Sequence, residues 1–191
     1  MKIALYLGSF NPFHNGHLDV VRIAFNDFGM DRVIIVPTMQ NPWKKEKVLD
    51  IDRRTQIICN TLGLRNQFRG PIPYEFDFEG NICIIDLIEK ELIPPYYSYA
   101  TLHALKNKYC NDEVFVLCGE DTMEKIPDWM NGGEIIKDYD FLIVDRPRNS
   151  ISSTYIREML RTRHKMDAYY SDERLGRYVC QTVIELLKKY Y

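Results

Sequence analysis

The feature that most constrains the fold is the stretch Gly8-Ser9-Phe10-Asn11-Pro12-Phe13-His14-Asn15-Gly16-His17. An apolar run, Ile3 to Leu7, precedes it and reads as a buried strand. Leu18 to Phe28 follows, with Leu18, Val21, Phe25 and Phe28 on one stripe beside Val20 and Ala24, and stops at Gly29. That spacing predicts a helix with a glycine just past its end. A loop leading from a strand's C-terminal end to a helix N-terminus is where open α/β sheets bind ligands. The helix start offers unpaired N–H groups and a partial positive charge to an anion such as phosphate. Gly8 and Gly16 let backbone approach a ligand. His14 and His17, three apart, can share a helical face and donate to phosphate oxygens. The plain alternative is a strand–helix connection with two surface histidines.

The rest of the chain alternates in the same way. Val33 to Val36 is a continuous apolar run closed by Pro37, which suits a parallel strand buried on both faces. With the first strand and helix it makes a βαβ unit, whose crossover is expected to be right-handed. Asp52 can cap or charge a helix running to Leu62, closed by Gly63. Tyr74, Phe76 and Phe78 alternate with acidic residues, Gly80-Asn81 signals a turn, and Ile82 to Ile85 reads as the return strand. A helix over 86–92 would end before Pro94-Pro95. Leu102, Leu105 and Tyr109 predict a helix, Val114 to Leu117 a strand, 134–137 a helix, and Phe141 to Val144 a strand. Ser171 to Tyr191 reads as one amphipathic helix through Leu175, Tyr178, Val179, Thr182, Val183, Leu186 and Leu187, packed on the sheet. The pattern is that of an α/β chain: a mainly parallel sheet with helices on both faces.

Three further places carry candidate chemistry. Lys44 and Lys45 lie in a polar loop after the second strand, where a solvated basic loop is the plain alternative. Gly119-Glu120-Asp121 follows a strand end, so Asp121 can accept hydrogen bonds from a ribose or cap a helix. Ile151-Ser152-Ser153-Thr154-Tyr155-Ile156-Arg157 gathers three hydroxyls and a guanidinium at a helix start, an anion cradle or an ordinary Ser-capped helix.

His14-Asn15-Gly16-His17 after the first strand resembles the His/Thr-x-Gly-His mark of the nucleotidyltransferase superfamily. Ile-Ser-Ser-Thr-x-Ile-Arg at 151–157 resembles the same family's signature for the ATP end. Cys118-Gly119-x-Asp121, then Trp129, Glu134-Ile135-Ile136, a strand and Arg146-Pro147 resemble the pyridine mononucleotide adenylyltransferases within it. Ser98-Tyr99-Ala100-Thr101-Leu102 resembles their Ser-Tyr-Thr segment with residues missing. The resemblance implies a Rossmann-like single domain over 1–191, with 151–191 as a helical C-terminal part. It implies transfer of adenylate from ATP to nicotinate or nicotinamide mononucleotide, giving deamido-NAD or NAD and pyrophosphate. It further implies that His14, His17 and Arg157 are catalytic. Gly8, Ser9, Phe10, Gly16, Gly119, Asp121, Ile151, Ser152, Ser153 and Thr154 would then serve ATP. Lys44 or Lys45, Ser98, Thr101 and Trp129 would serve the mononucleotide, with Trp129 covering the pyridine ring. Mg²⁺ would arrive on the ATP phosphates, with no protein metal cluster. Phosphopantetheine adenylyltransferase, another cytidylyltransferase-like enzyme, and a non-catalytic adenine-nucleotide sensor are the alternatives. Two stretches depart from the family. Residues 68–100 look long, and Arg146-Pro147 nearly abuts Ile151, so the sheet lacks a strand or the connection is trimmed.

Composition narrows the partners. The chain has 191 residues, 46% hydrophobic and 13% aromatic, enough for a sizeable core. A net charge of −2 gives no sign of a nucleic-acid or anionic-membrane binder. The five cysteines are scattered with no C-x-x-C pair, which suggests neither a disulfide framework nor a zinc site and fits a reducing cytoplasm. No signal-peptide pattern or membrane-length apolar run is read. Small molecules are the expected partners, a homo-oligomer is allowed, and nicotinate is not distinguished from nicotinamide.

Overall fold

The apolar runs form six strands in a computed structural model, which describes residues 1–39, 48–64, 73–145, 151–162 and 173–190. These are β1 (Lys2–Gly8), β2 (Arg32–Pro37), β3 (Tyr74–Phe78), β4 (Asn81–Ile85), β5 (Glu113–Gly119) and β6 (Asp140–Val144). They lie in one sheet in the order β3-β4-β2-β1-β5-β6. Every neighbouring pair is parallel except the β3–β4 hairpin. Its two-residue turn places Glu79 at φ 53° and Gly80 at φ 84°, the mirror-image turn that matches strand twist.

The helices are α1 (Asn15–Asn26), α2 (Ile51–Thr61), α3 (Ser98–Lys108), α4 (Glu120–Met123), α5 (Gly132–Asp138), α6 (Ser153–Thr162) and α7 (Gln181–Tyr190). β1 shows why its sequence is continuously apolar. Ala4 and Tyr6 face a core with Val21 of α1, Ile57 of α2, Ile156 of α6 and Val183 of α7. Ile3 and Leu5 face a second core with Leu102 and Leu105 of α3 and Ile135 of α5. Both faces are covered, as a parallel sheet requires. The chain leaves β1 for β2 on one side and returns to its other side only at β5. The C-terminal ends of β1 and β5 therefore flank the switch point, where a ligand crevice forms.

Asp50 caps α2, its carboxylate accepting the Arg53 N–H at 2.8 Å, and Asp52 stands in the first turn, so of the two roles expected of Asp52 it takes the charge and not the cap. Three expectations are corrected. The helix expected over 86–92 shrinks to a 3₁₀ turn at Ile88–Lys90. α1 starts at Asn15, not at Leu18, so His14 is its cap position. The C-terminal segment is not one helix: residues 173–176 are helical, the chain breaks, and α7 begins at Gln181. The break has a purpose in the backbone accounting. Tyr178 C=O accepts the Asn15 N–H at 2.9 Å, and Arg177 C=O accepts the Asn15 side-chain amide at 3.3 Å. These carbonyls cap the start of α1, and a continuous helix would have consumed them. The segment's packing is as expected, with Leu175, Val179, Val183 and Leu187 fully buried. The sheet ends at β6, and no further strand lies between Val144 and Ser153 among the described residues.

Candidate active site

The first loop is folded around an aromatic box. Phe10 takes a left-handed backbone at φ 43°. That conformation costs a non-glycine residue about 1–3 kcal/mol unless packing holds it. Here the Phe10 ring sits edge-on to Tyr6 at 5.2 Å and to Phe13 at 5.2 Å. A Cβ on Gly8 would lie 2.7 Å from the same ring, so Gly8 leaves the space that the ring occupies. His17 is stacked on Phe13 at 5.0 Å and meets the Phe10 edge at 5.1 Å. The His14 backbone N–H donates to His17 Nδ1 at 3.1 Å. With Nδ1 an acceptor, the neutral ring carries its hydrogen on Nε2 and presents a donor there. The His14 ring lies 3.8 Å from His17, centroid to centroid.

The second motif is tied onto the first. Arg157 Nη1 donates to the Asn11 carbonyl at 2.8 Å and Nη2 to Thr154 Oγ1 at 3.1 Å. Ser153 Oγ donates to the Pro12 carbonyl at 2.9 Å. Ser152 Oγ accepts the Tyr155 N–H at 3.2 Å, so it also caps α6. Two helix N-termini far apart in the chain, at Asn15 and Ser153, thus open on one space.

That space is a cavity of about 560 Å³. Gly8, Ser9, Phe10, His14 and His17 line it from the first loop, and Ser152, Ser153, Thr154 and Arg157 from the second motif. Gly119, Asp121, Ser98 and Trp129 line it from the β5 and α3 side. Asp121 is in α4 with Gly119 at the cap position, so it does not cap the helix itself. The cavity's donors are mostly hydroxyls, imidazoles and helix-start N–H groups, with Asp121 its one carboxylate among the described residues. Such a set suits anionic oxygens and a hydroxyl-bearing sugar.

Three expected residues stand elsewhere. Gly16 and Ile151 are outside the wall. A Cβ on Gly16 would lie 3.2 Å from the His14 ring and 3.5 Å from Ile151 Cγ2, so the glycine leaves room for the His14 ring. Thr101 is fully buried and its hydroxyl donates to Glu89 Oε1 at 2.7 Å, away from the wall. Lys44, Lys45, Arg146 and Pro147 lie outside the described residues.

Other residues were not foreseen. Tyr6, Leu7, Thr38, Cys118 and Thr122 line the cavity. Position could have found them, because each stands at or just past the C-terminal end of β1, β2 or β5. Thr38 is held by its N–H to the Gly8 carbonyl at 2.9 Å. Arg54 and Glu89, both almost fully buried, stand behind the wall. Burial pushes the Glu89 carboxyl above the ordinary carboxylate range. Hydrogen bonds from Thr101 and the Met39 N–H and the Arg54 charge oppose that rise. No sequence signal marked either residue: each looked like a charge on an exposed helix.

The fold and site together define a Rossmann-like α/β protein with a cleft at its switch point lined by hydroxyls, imidazoles and a guanidinium. The chain belongs to the Cytidylyltransferase-like family, whose model matches residues 5–159. It is 26% identical to the nicotinate-nucleotide adenylyltransferase of Bacillus subtilis, over 93% of this chain and 95% of that one. A Campylobacter jejuni protein named probable nicotinate-nucleotide adenylyltransferase is 29% identical over 100% of this chain and 97% of its own length. In fold it is similar to the Plasmodium falciparum nicotinic acid mononucleotide adenylyltransferase complexed with APC. The TM-score is 0.71 at 16% identity, covering 99% of this chain and 95% of that one.

Proposed function

We propose that this protein is a pyridine mononucleotide adenylyltransferase of NAD biosynthesis, joining ATP to nicotinate or nicotinamide mononucleotide and releasing pyrophosphate. The observation that carries this reading is the Arg157–Asn11 hydrogen bond. It holds the hydroxyl and guanidinium cradle of α6 against the His14/His17 loop, so one polyphosphate can touch both.

The chemistry then needs no covalent intermediate. The acceptor's phosphate monoester is largely dianionic at neutral pH, because its second pKa is about 6. One of its oxygens attacks the α-phosphorus of ATP. A new P–O bond forms as the bond to the bridging oxygen breaks, and pyrophosphate leaves with that electron pair. The protein supplies position and charge stabilisation. His17, through Nε2–H, and His14 serve the oxygens at the α- and β-phosphates with the α1 N-terminus. Arg157, Ser152 and Thr154 hold the β- and γ-phosphates. Asp121 accepts from a ribose hydroxyl. Trp129 and Ser98 stand on the acceptor side, with Lys44 or Lys45 for its phosphate.

Mg²⁺ is read as travelling with ATP. Among the described residues no group of three His, Cys, Asp or Glu is gathered for a metal. The cleft's hydroxyls and single carboxylate suit an ion held mainly by phosphate oxygens and water. Such an ion neutralises triphosphate charge. The five cysteines are free thiols, and the proposed setting is the reducing cytoplasm. No helix among the described residues is long and apolar enough to cross a membrane.

A panel assay tests the reading: purified protein, ATP, Mg²⁺, and nicotinate mononucleotide, nicotinamide mononucleotide or phosphopantetheine, with pyrophosphate measured. Release with a pyridine mononucleotide is expected. Release with phosphopantetheine alone moves the protein to the other branch, and ATP binding without release makes it a sensor.

A further inference from the structure

Arg54 lies at the centre of a hydrogen-bonded junction and is not among the residues that line the cavity. It is 1% exposed. Its Nε donates to the Leu49 carbonyl at 2.7 Å, Nη1 to the Ser9 carbonyl at 2.7 Å, and Nη2 to the Met39 carbonyl at 3.0 Å. One planar fork therefore ties three separate segments. Ser9 lines the cavity, and Met39 directly follows the cavity-lining Thr38. Met39 and Leu49 stand on either side of residues 40–47.

Glu89 completes the junction. It is 1% exposed and accepts the Met39 N–H on Oε2 and the Thr101 hydroxyl on Oε1. Met39 is thus gripped from both ends, its N–H by Glu89 and its C=O by Arg54. Thr101 belongs to α3, whose first residue, Ser98, also lines the cavity. The network continues to the other end of the site. Leu49 N–H donates to Asn11 Oδ1 at 3.3 Å, and the Asn11 carbonyl accepts from Arg157.

We propose that Arg54 and Glu89 are positioning residues: their buried junction sets the acceptor side of the cleft by locking Thr38–Met39 and Ser98 against the Ser9 loop. The proposal rests on the adenylyl-transfer reading for its kinetic consequences. An arginine suits the task because its fork is planar and its charge permanent, whereas a lysine has a single nitrogen and cannot serve three carbonyls set in one plane. Burying such a charge is costly unless every donor is used, and a purely apolar filling would serve stability as well. Two of the three carbonyls it holds belong to the cavity wall or directly follow it, Ser9 in the wall and Met39 after Thr38, which gives the cost a role in function.

The test compares Arg54→Lys, Glu89→Ala and Glu89→Gln with wild type. The readouts are the KM for each substrate, kcat, thermal midpoint, and hydrogen exchange of the Met39 and Leu49 amides in the ligand-free protein. Arg54→Lys and Glu89→Ala should raise the KM of the mononucleotide roughly tenfold or more, within the hundredfold that a 1 Å misplacement costs, while the KM of ATP changes much less. Glu89→Gln keeps an acceptor for the Met39 N–H and should restore the acceptor KM even if its thermal midpoint stays low. Met39 exchange should quicken in the first two variants while amides inside β1 and β2 hold their protection. A lower thermal midpoint with unchanged KM values and unchanged Met39 and Leu49 exchange overturns the proposal. If Glu89→Ala does not fold, Arg54→Lys and Glu89→Gln decide it. A wild-type protein that releases no pyrophosphate defeats the adenylyl-transfer reading instead, and the exchange measurement still decides whether the junction locks these segments.

Discussion

His17 shows how a residue's neighbours decide its chemistry. Stacked on Phe13, edged by Phe10 and accepting the His14 N–H on Nδ1, its ring has one orientation and, when neutral, one tautomer. His17→Ala should lower kcat about a hundredfold, the scale for losing one preorganised donor to a developing charge. Circular dichroism should show the fold retained. Near-normal kcat in the folded mutant would remove His17 from the mechanism. The cysteines give a second residue-scale expectation. Burial pushes the Cys83 thiol up to about 12 and the Cys59 thiol up to about 11. The thiolate is the reactive form, so both should resist alkylation at pH 8 until the chain unfolds. Cys110, which is exposed, should label first. Peptide mapping after brief iodoacetamide treatment checks this, and early labelling of Cys83 would contradict its burial.

At the scale of elements, α5 depends on a close approach at its start. A Cβ on Gly132 would lie 2.0 Å from the Ile126 carbonyl oxygen, a backbone atom that cannot swing away. The adjacent Gly133 has nothing within 4 Å of its Cβ position. Gly132→Ala should destabilise by about 1–3 kcal/mol, the cost of overpacking, and Gly133→Ala should be neutral or stabilising by up to about 1 kcal/mol. Urea midpoints of both variants settle it, and equal shifts would sink the steric account. The same elements show what the sequence could disclose. Strands were legible because Val33 to Val36 are buried on both faces and Val114 to Leu117 are buried or half-buried, and the β3–β4 hairpin because alternation and Gly80-Asn81 agree. The C-terminal break was not legible. Its cause, Asn15 seeking the carbonyls of Arg177 and Tyr178, joins residues more than 160 positions apart. Asp50, two residues before the expected Asp52, became the cap of α2 because the helix starts one residue before Asp52, at Ile51. The two site motifs could be read because each is contiguous. Arg54 and Glu89 could not, because what makes them notable is burial, and a charge on a helical stretch predicts exposure.

For the whole molecule, the proposed function divides the site into two ends. The lining residues of the 8–17 loop and of 152–157 would serve ATP, and Ser98, Trp129 and Thr38 the acceptor. Trp129→Ala should raise the acceptor KM several-fold to tenfold, since a lost aromatic partner costs on the order of 1 kcal/mol beyond area burial. Its effect on ATP should be small. Arg157→Ala should act mainly on ATP and also lower stability. It leaves the Asn11 carbonyl without its guanidinium donor, and a buried acceptor that loses its partner costs about 1–3 kcal/mol. Initial rates with each substrate varied in turn separate the two. If Trp129→Ala shifts both KM values equally, the tryptophan is a packing residue.

The strand order has a consequence for synthesis on the ribosome. β1 emerges first, and its register pairs Ile3 with Val114, so one long side of the central strand waits for more than a hundred residues before its neighbour exists. At about 5–20 residues per second that interval is on the order of ten seconds. Throughout it the nascent chain presents Ile3, Leu5 and Leu7 beside an open row of peptide groups. Helper proteins that shield apolar strands during translation would find in this half-made chain a natural client.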